Sequence, residues 1–229
     1  MAPQQPADRY QLVIDQIHAA VMRYQRSIDS VALLAVSKTR SADEIAEMAA
    51  LGQKKFGENY LQEALEKITA LQDKGLEWHF IGPIQSNKTK PIAENFAWVH
   101  SVDRFKIAQR LNDQRPADLP PVNICIQVNV SGEESKSGCT LAELSELAAK
   151  IATLPNIRLR GLMAIPQSAS NFDEQRKPFA LLHEAMVTLN NEGHNLDTLS
   201  MGMSGDLDAA IAEGATMVRI GTALFGARN

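Results

Sequence analysis

The sequence has only two cysteines, no excess of basic residues and no long hydrophobic run. Cys125 and Cys139 are too far apart for a paired-cysteine zinc site, and one possible disulfide is weak evidence for secretion. Lys and Arg number 23 against 27 Asp and Glu, without the basic excess typical of nucleic-acid binding. No stretch approaches the roughly 18 apolar residues of a membrane span. We therefore expect no metal, no nucleic acid and no membrane insertion.

The N-terminus carries no recognisable targeting signal. MAPQQPADRYQLVIDQ lacks the basic segment and apolar segment of a secretory signal, so we expect a cytoplasmic protein. Apolar residues make up 45% and charged residues 22% of the 229 residues, as in ordinary globular proteins. No linker rich in Gly, Ser and Pro divides the chain. We predict a single domain over residues 1–229, with an extra N-terminal helix at about 6–27.

Short apolar runs alternate with amphipathic segments along the rest of the chain. VALLAV at 31–36 is a continuous apolar run, which is typical of a strand covered on both sides, and a helix from Ser41 to Gly52 follows. The further predicted strands are KKFGEN, EWHFIG, AWVHSV, VNICIQVNV, IRLRGLMAI, TLSMGMS and MVRIGTALFG. Helices are predicted between them at 60–73, 88–94, 103–114, 141–153, 173–191 and 206–213. Eight such units predict a closed (β/α)₈ barrel, with an open doubly wound sheet as the alternative.

A lysine stands directly after the first predicted strand. Ligands of a (β/α)₈ barrel bind where its strands end, so Lys38 would lie at the mouth of the barrel. Partial loss of solvent there would free its amine to attack a carbonyl group. A lysine that merely extends into solvent from a strand end is the alternative.

Small and hydroxyl residues stand at the ends of the last two predicted strands. Ser200, Ser204 and Gly205 precede a predicted helix, and Gly221 and Thr222 follow the apolar part of the eighth strand. Backbone N–H groups and hydroxyls of these two loops bind phosphate in many barrels. Glycine turns with a simple helix cap are the competing interpretation.

Arg219 interrupts an otherwise apolar predicted strand. The period of two places Met217, Arg219 and Gly221 toward the barrel interior. A buried guanidinium only donates hydrogen bonds, so its partner would be a carboxylate or an acceptor atom of a bound ligand. A purely structural ion pair is the alternative.

Four further residues are candidates on weaker grounds. Asn59 would either bind a ligand ring or form an Asx turn, and His79 would either line the site or lie satisfied in the core. Lys88 and Lys136 stand on strand-end loops and would either attract an anion or simply be solvated. We expect His18, His183 and His194 to lie on helices or at the surface, because none has the spacing of metal ligands.

Six motifs follow one another along the chain: AVSKT, FGENY, WHFIGPIQSNK, RGLMAIP, LSMGMS and MVRIGTALFGAR, within a similarity that runs from about residue 9 to the C-terminus. In this order and spacing they resemble the pyridoxal 5′-phosphate (PLP) homeostasis protein family. That family is similar to the barrel domain of alanine racemase, the fold of type III PLP-dependent enzymes. The resemblance implies that Lys38, in AVSKT, carries PLP as a Schiff base.

The resemblance also implies the other contacts of the cofactor. Arg219 would lie beside the pyridine nitrogen and keep it unprotonated, which weakens the ring as an electron sink. Asn59 and Met163 would line the ring. The full set of cofactor-binding residues implied is Lys38, Asn59, Met163, Ser200, Met201, Ser204, Arg219, Gly221 and Thr222.

Three functions are compatible with such a site. The first is a non-catalytic PLP carrier that supplies apo-enzymes in vitamin B6 homeostasis. The second is an amino-acid racemase, which needs a second base such as the tyrosine that a separate domain supplies in alanine racemase. The chain ends three residues after Gly226 and has only Tyr10, Tyr24 and Tyr60, so we favour the carrier and expect a monomer. The third is a Schiff-base aldolase, for which Glu58 is the one candidate base.

Overall fold

A parallel sheet closes on itself as a barrel in the computed structural model, which describes residues 5–132 and 137–227. Within these ranges eight strands follow one another around the barrel in chain order, and the last pairs with the first. This arrangement confirms the predicted (β/α)₈ barrel and excludes the open sheet. The strands are β1 (Ala32–Val36), β2 (Lys55–Glu58), β3 (Glu77–Phe80), β4 (Trp98–Val102), β5 (Val122–Gln127), β6 (Ile157–Met163), β7 (Thr198–Ser200) and β8 (Met217–Ile220).

Helices surround the barrel, and one more helix precedes it. The helices are α1 (Pro6–Arg23), α2 (Ala42–Ala50), α3 (Leu61–Ala70), α4 (Thr89–Asn95), α5 (Phe105–Gln114), α6 (Leu141–Ala152), α7 (Phe172–Asn191), α8 (Leu207–Ala212) and α9 (Thr222–Phe225). Helix α1 packs against α8 and α9, where the Tyr24 hydroxyl donates to Asp208 and Arg9 Nε donates to the Leu224 carbonyl at 2.7 Å. In the part of the chain that the structure describes, no helix is long and apolar enough to cross a bilayer.

The buried side chains form two layers, as expected of a barrel with alternating strand faces. The larger layer lies between strands and helices and includes Val218 and Ile220 of β8. Inside the barrel, Met217 packs with Leu34 and Ile81 in a separate cluster. A second interior cluster contains Trp98, Cys125 and Met163. The strand phase read from MVRI is therefore confirmed.

The last two strands are shorter than their apolar sequences predict. Strand β7 ends at Ser200, and Gly202 then adopts a positive φ of 96°. Strand β8 ends at Ile220, where Leu224 and Phe225 donate backbone hydrogen bonds to the Gly221 carbonyl and begin a turn of helix. The apolar TALF segment therefore forms α9, which covers α1, instead of extending the strand.

Candidate functional site

A cavity of about 360 Å³ opens where the strands end. Three cations, Lys38, Arg40 and Arg219, lie among its lining residues. No carboxylate or histidine lines it within the described ranges, so its potential favours an anionic ligand. The remaining lining residues are Val36, Asn59, Ile81, Ile165, Met203, Ser204, Gly205, Gly221 and Thr222.

Lys38 enters the cavity from the loop after β1. The residue is half-buried, and in the described chain its amine has no hydrogen-bond or ion-pair partner. A neutral lysine amine is a competent nucleophile toward carbonyl carbon. The structure therefore agrees with the prediction that places this amine at the barrel mouth.

A buried ion cluster fixes the backbone before Lys38. Lys67 Nζ, on α3, donates to the Ser37 carbonyl at 2.7 Å and to Glu58 Oε1 at 2.9 Å. The Ser37 hydroxyl donates to the same carboxylate oxygen at 2.6 Å. Burial raises the pKa of Glu58, against the opposing effect of these two donors. Glu58 is thus fully buried, with Oε1 bonded and Oε2 without a hydrogen-bond partner among the described residues, and it does not line the cavity as an aldolase base would have to.

The same cluster fixes the backbone after Lys38. Glu63 Oε1 accepts a hydrogen bond from Thr39 N at 2.6 Å and also pairs with Lys67. Thr39 has a φ of 63°, in the left-handed region that a β-branched residue rarely occupies. Such a conformation costs on the order of 1–3 kcal/mol and persists only where its surroundings enforce it. The cluster thus fixes the direction in which Lys38 leaves the backbone.

Asn59 presents an unsatisfied acceptor at the cavity. Its Oδ1 is buried and has no hydrogen-bond partner among the residues described, so it does not form the Asx turn considered above. Gly82 lets the chain after β3 approach closely, because a Cβ there would lie 2.1 Å from the Asn59 carbonyl oxygen. Buried acceptors without partners are rare in proteins, and this one suits a donor group on a ligand.

Arg219 lies at the base of the cavity and is almost fully buried. Its Nη1 donates to the Ser200 carbonyl at 2.6 Å and to the Ser200 hydroxyl at 2.9 Å, and its Nη2 donates to the Ala164 carbonyl at 2.8 Å. Burial lowers its pKa to about 10, so the guanidinium stays charged at neutral pH. None of these acceptors is a carboxylate, which contradicts the structural ion pair. In the described ranges Nε has no hydrogen-bond partner and can donate to a ligand.

The loops after β7 and β8 bring Ser204, Gly205, Gly221 and Thr222 to one side of the cavity. Within the described ranges, no protein group engages the Ser204 or Thr222 hydroxyl. Asp206 Oδ1 instead accepts from Met203 N at 2.6 Å and stabilises the turn of the first loop. Two hydroxyls and nearby backbone N–H groups are thus placed together, as a phosphate requires.

Three residues predicted to bind the cofactor lie behind the cavity lining. Ser200 is fully buried beneath Arg219, and Met163 is fully buried in the barrel interior beside Trp98. Met201 packs in the outer layer between strands and helices. Ser200 and Met163 thus lie in the barrel interior and Met201 lies between strands and helices, so none of the three lines the cavity.

The histidines show one correct and one missed assignment. His79 lies in the core, as its alternative interpretation stated, and bonds to Glu77 and His100. His100, which the sequence reading overlooked, is also fully buried inside the barrel. The sequence could have predicted this position, because strand alternation in AWVHSV places His100 on the same face as Trp98.

Of the further cations in strand-end loops, Arg40 lines the cavity, although sequence reasoning missed it. Lys88 is exposed and does not line the cavity, and Lys136 lies outside the described residues. Arg40, two residues after Lys38, does line it, and its guanidinium lies 5.6 Å from the Phe225 ring centre. Its signal was its place in the same strand-end loop.

Fold and site together define a class of single parallel barrels with a lysine after β1 and hydroxyl-bearing loops after β7 and β8. The family model described as alanine racemase, N-terminal domain, matches residues 13–229. The protein is also 65% identical over 183 residues to the pyridoxal phosphate homeostasis protein of Pseudomonas aeruginosa, covering 80% of this chain and 78% of that one. The chain belongs to the pyridoxal phosphate homeostasis protein family, as its motifs predicted.

Other relatives agree with this placement. The protein of the same name from Escherichia coli K12 is 58% identical over 181 residues, covering 78% of this chain and 77% of that one. PipY of Synechococcus elongatus, solved with PLP bound, superimposes with a TM-score of 0.82 at 36% identity over 97% of this chain and 100% of its own. Alanine racemase from Corynebacterium glutamicum shares the fold, with a TM-score of 0.67 at 18% identity over 93% of this chain and 60% of its own.

Proposed function

We propose that this protein binds PLP and acts in PLP homeostasis, holding the cofactor through Lys38 and supplying it to apo-enzymes. The observation that carries the proposal is the free amine of Lys38 in a cavity lined by two further cations. The names of the relatives and the PLP in PipY support the same ligand.

The residues of the cavity fit the groups of this cofactor one by one. When bound, PLP supplies an aldehyde that combines reversibly with an amine, together with a phosphate, a ring nitrogen and a ring hydroxyl. Lys38 offers the amine, and Ser204 and Thr222 offer hydroxyls to the phosphate. Arg219 offers a donor to the ring nitrogen, and the unpartnered Asn59 Oδ1 offers an acceptor to the ring hydroxyl.

We infer a carrier and not a racemase, because the cavity holds no second acid or base. Its titratable lining residues in the described ranges are Lys38, Arg40 and Arg219. Guanidinium groups stay charged and are poor proton acceptors. Tyr60, which follows Asn59, is 55% exposed and does not line the cavity. A two-base racemase needs an acid or base on each face of its substrate, and the described lining of this cavity provides no second one.

We also propose that the carrier works in the cytoplasm as a monomer. Cys125 and Cys139 are both free thiols, in keeping with a reducing compartment. The barrel closes through the pairing of β8 with β1, so its described strands offer no edge to a second chain.

The first experiment adds PLP to the purified protein, records its visible absorbance, and maps the lysine labelled after borohydride reduction. We expect a new band and a pyridoxyl mass on the peptide that contains Lys38. Lys38→Ala should lose the covalent label while the phosphate loops retain weaker binding. Lys88→Ala is the control, because Lys88 is exposed and outside the cavity, and it should label normally.

Two results would contradict the proposal. A wild-type protein that gains neither band nor label would remove PLP as the ligand. Normal labelling of Lys38→Ala would show that another lysine is the carrier. Incubation of the PLP-loaded protein with alanine in deuterated water tests the racemase alternative. Exchange of the Cα proton of alanine with inversion of configuration at an enzymatic rate would support a racemase and contradict the carrier function.

A further inference from the structure

A continuous line of hydrogen bonds crosses the barrel interior beneath the cavity. Starting from the amino end of β3, Glu77 Oε1 lies 2.9 Å from His79 Nε2, and His79 Nδ1 lies 2.9 Å from His100 Nε2. His100 Nδ1 lies 2.8 Å from the Ser200 hydroxyl, which also accepts from Arg219. We call these five residues the interior chain. It links a partly exposed carboxylate at the start of β3 to the guanidinium at the base of the cavity.

The two ends of the interior chain determine the position of every proton between them. Glu77 is ionised, because its partners His79 and Lys55 lower its pKa to about 2, so it only accepts. His79 therefore donates through Nε2 and, when neutral, accepts at Nδ1 from His100 Nε2. Neutral His100 then accepts at Nδ1 from the Ser200 hydroxyl. Burial lowers the pKa of both imidazoles, which keeps them neutral at neutral pH.

This arrangement favours a positive charge at Arg219. Every O–H and N–H group of the interior chain points away from Arg219 and toward Glu77. The lone pair of each acceptor in the interior chain accordingly points toward the guanidinium, and the negative charge of Glu77 lies at the opposite end. Aligned hydrogen bonds in a buried network polarise one another, so the chain stabilises a cation that burial otherwise disfavours. Arg219 also donates to the Ser200 and Ala164 carbonyls, so in the described ranges the Ser200 hydroxyl is one of three neutral acceptors of its guanidinium, and the one that belongs to the interior chain.

We propose that the interior chain positions Arg219, holding its guanidinium charged and directed toward the ring nitrogen of the bound cofactor. The inference rests on the proposed function, since it assumes PLP in the cavity. The other four residues of the interior chain are positioning residues, which act through Arg219 and, unlike Arg219, do not line the cavity.

The first test uses the protein without cofactor. Nitrogen-15 labelling of the histidine rings and two-bond proton–nitrogen correlation spectra report which ring nitrogen carries the proton. We expect His79 and His100 both as neutral rings protonated at Nε2, with assignments from His79→Gln and His100→Gln. A ring protonated at Nδ1, or doubly protonated at neutral pH, would overturn the proposed direction of the chain.

The second test uses PLP labelled with nitrogen-15 in its ring. His100→Leu removes the acceptor of the Ser200 hydroxyl, so we expect the ring-nitrogen resonance to move toward that of protonated pyridine. We also expect the cofactor to dissociate about tenfold faster, the scale of one lost charge-assisted hydrogen bond. Ser200→Ala breaks the same link with the loss of one oxygen and should move the resonance likewise. His183→Leu is the control, because His183 bonds to the Glu213 carbonyl and does not belong to the interior chain.

The outcomes separate this inference from the function on which it rests. If His100→Leu does not fold, Ser200→Ala decides. Folded variants with an unchanged ring-nitrogen resonance would show that the interior chain has only a structural role, even if their unfolding temperature falls. Failure of the wild-type protein to retain labelled PLP would instead refute the proposed function, while the histidine spectra would still report the direction of the chain.

Discussion

Lys38 and Lys67 lie on neighbouring elements and have the same side chain in opposite states. Among the residues that the structure describes, the Lys38 amine at the cavity has no partner, whereas Lys67 donates to the Ser37 carbonyl, to Glu58 and to Glu63. The second lysine is therefore a structural cation that holds the first in place. Such pairs are costly to break, because removing one partner leaves the other charge buried without compensation.

At the residue scale we predict that Lys67→Met destabilises the protein by about 3–5 kcal/mol, because the fully buried Glu58 loses its counter-ion. Urea denaturation followed by circular dichroism measures the change. Lys150→Met is the matched control, since Lys150 pairs with Glu146 at i,i+4 on an exposed face of α6, where loss of the pair costs under about 1 kcal/mol. Equal losses in both variants would contradict a structural role for the Lys67 cluster.

Sequence reasoning identified the cavity residues that stand just beyond strand ends. Lys38, Asn59 and Thr222 line the cavity together with Arg219 near the end of β8, because the carboxyl ends of parallel strands converge in a barrel. It could not show that Ser200 lies one level deeper, since that depends on where β7 ends and on the stagger between strands. The interior chain was equally hidden, because its members come from four separate strands that come together only in the fold.

The loop between β1 and α2 is fixed from two sides at the element scale. Before and after Lys38 it is held by the Lys67 cluster, and at its far end it enters α2 through a capping box. Ser41 Oγ accepts from Glu44 N at 3.2 Å, and Glu44 Oε2 accepts from Ser41 N at 2.8 Å. Both helix-terminal donors are thereby satisfied. The loop that carries Lys38 is consequently anchored to a stable helix.

We predict that Ser41→Ala costs about 1 kcal/mol of stability, because Glu44 N loses its acceptor at the start of α2. The free energy of unfolding in urea measures this cost. Ser41→Asp retains an acceptor at the cap and should stay within a few tenths of the wild type. A similar loss in both variants would show that the hydroxyl acts through something other than the cap.

Element order was predictable throughout, and element ends were less so. The prediction that a helix begins at Ser41 correctly located the start of α2, because capping is a local interaction. The sequence predicts strand for the segment after Ile220, which instead forms α9. An apolar run such as TALF fits either state, and the decision comes from packing against α1, which lies more than two hundred residues away in the chain.

The closed barrel governs how the whole molecule meets other copies of itself. Open sheets expose N–H and C=O groups at their edges, whereas here each described strand pairs on both sides. Association through strand pairing is therefore unavailable to the described strands.

We expect sedimentation equilibrium to give the mass of a single chain at micromolar concentration, with and without PLP. The closed ring of strands is the physical reason. A measured mass of twice the chain mass that persists on dilution would contradict the proposed monomer. The helical outer surface would then be the candidate dimer interface.

The place of Trp98 gives the protein an optical reporter of its own. Of the two tryptophans, Trp78 packs beside Phe56 in the outer layer, while Trp98 stacks on His79 inside the barrel with ring centres 5.5 Å apart. A ligand that absorbs at the emission wavelengths of tryptophan would quench the fluorescence of Trp98 by energy transfer. Titration with PLP should dim the intrinsic fluorescence, and Trp78→Phe should keep more of that response than Trp98→Phe. The same ring that packs the barrel can thereby signal, without any label, when the cavity above it is filled.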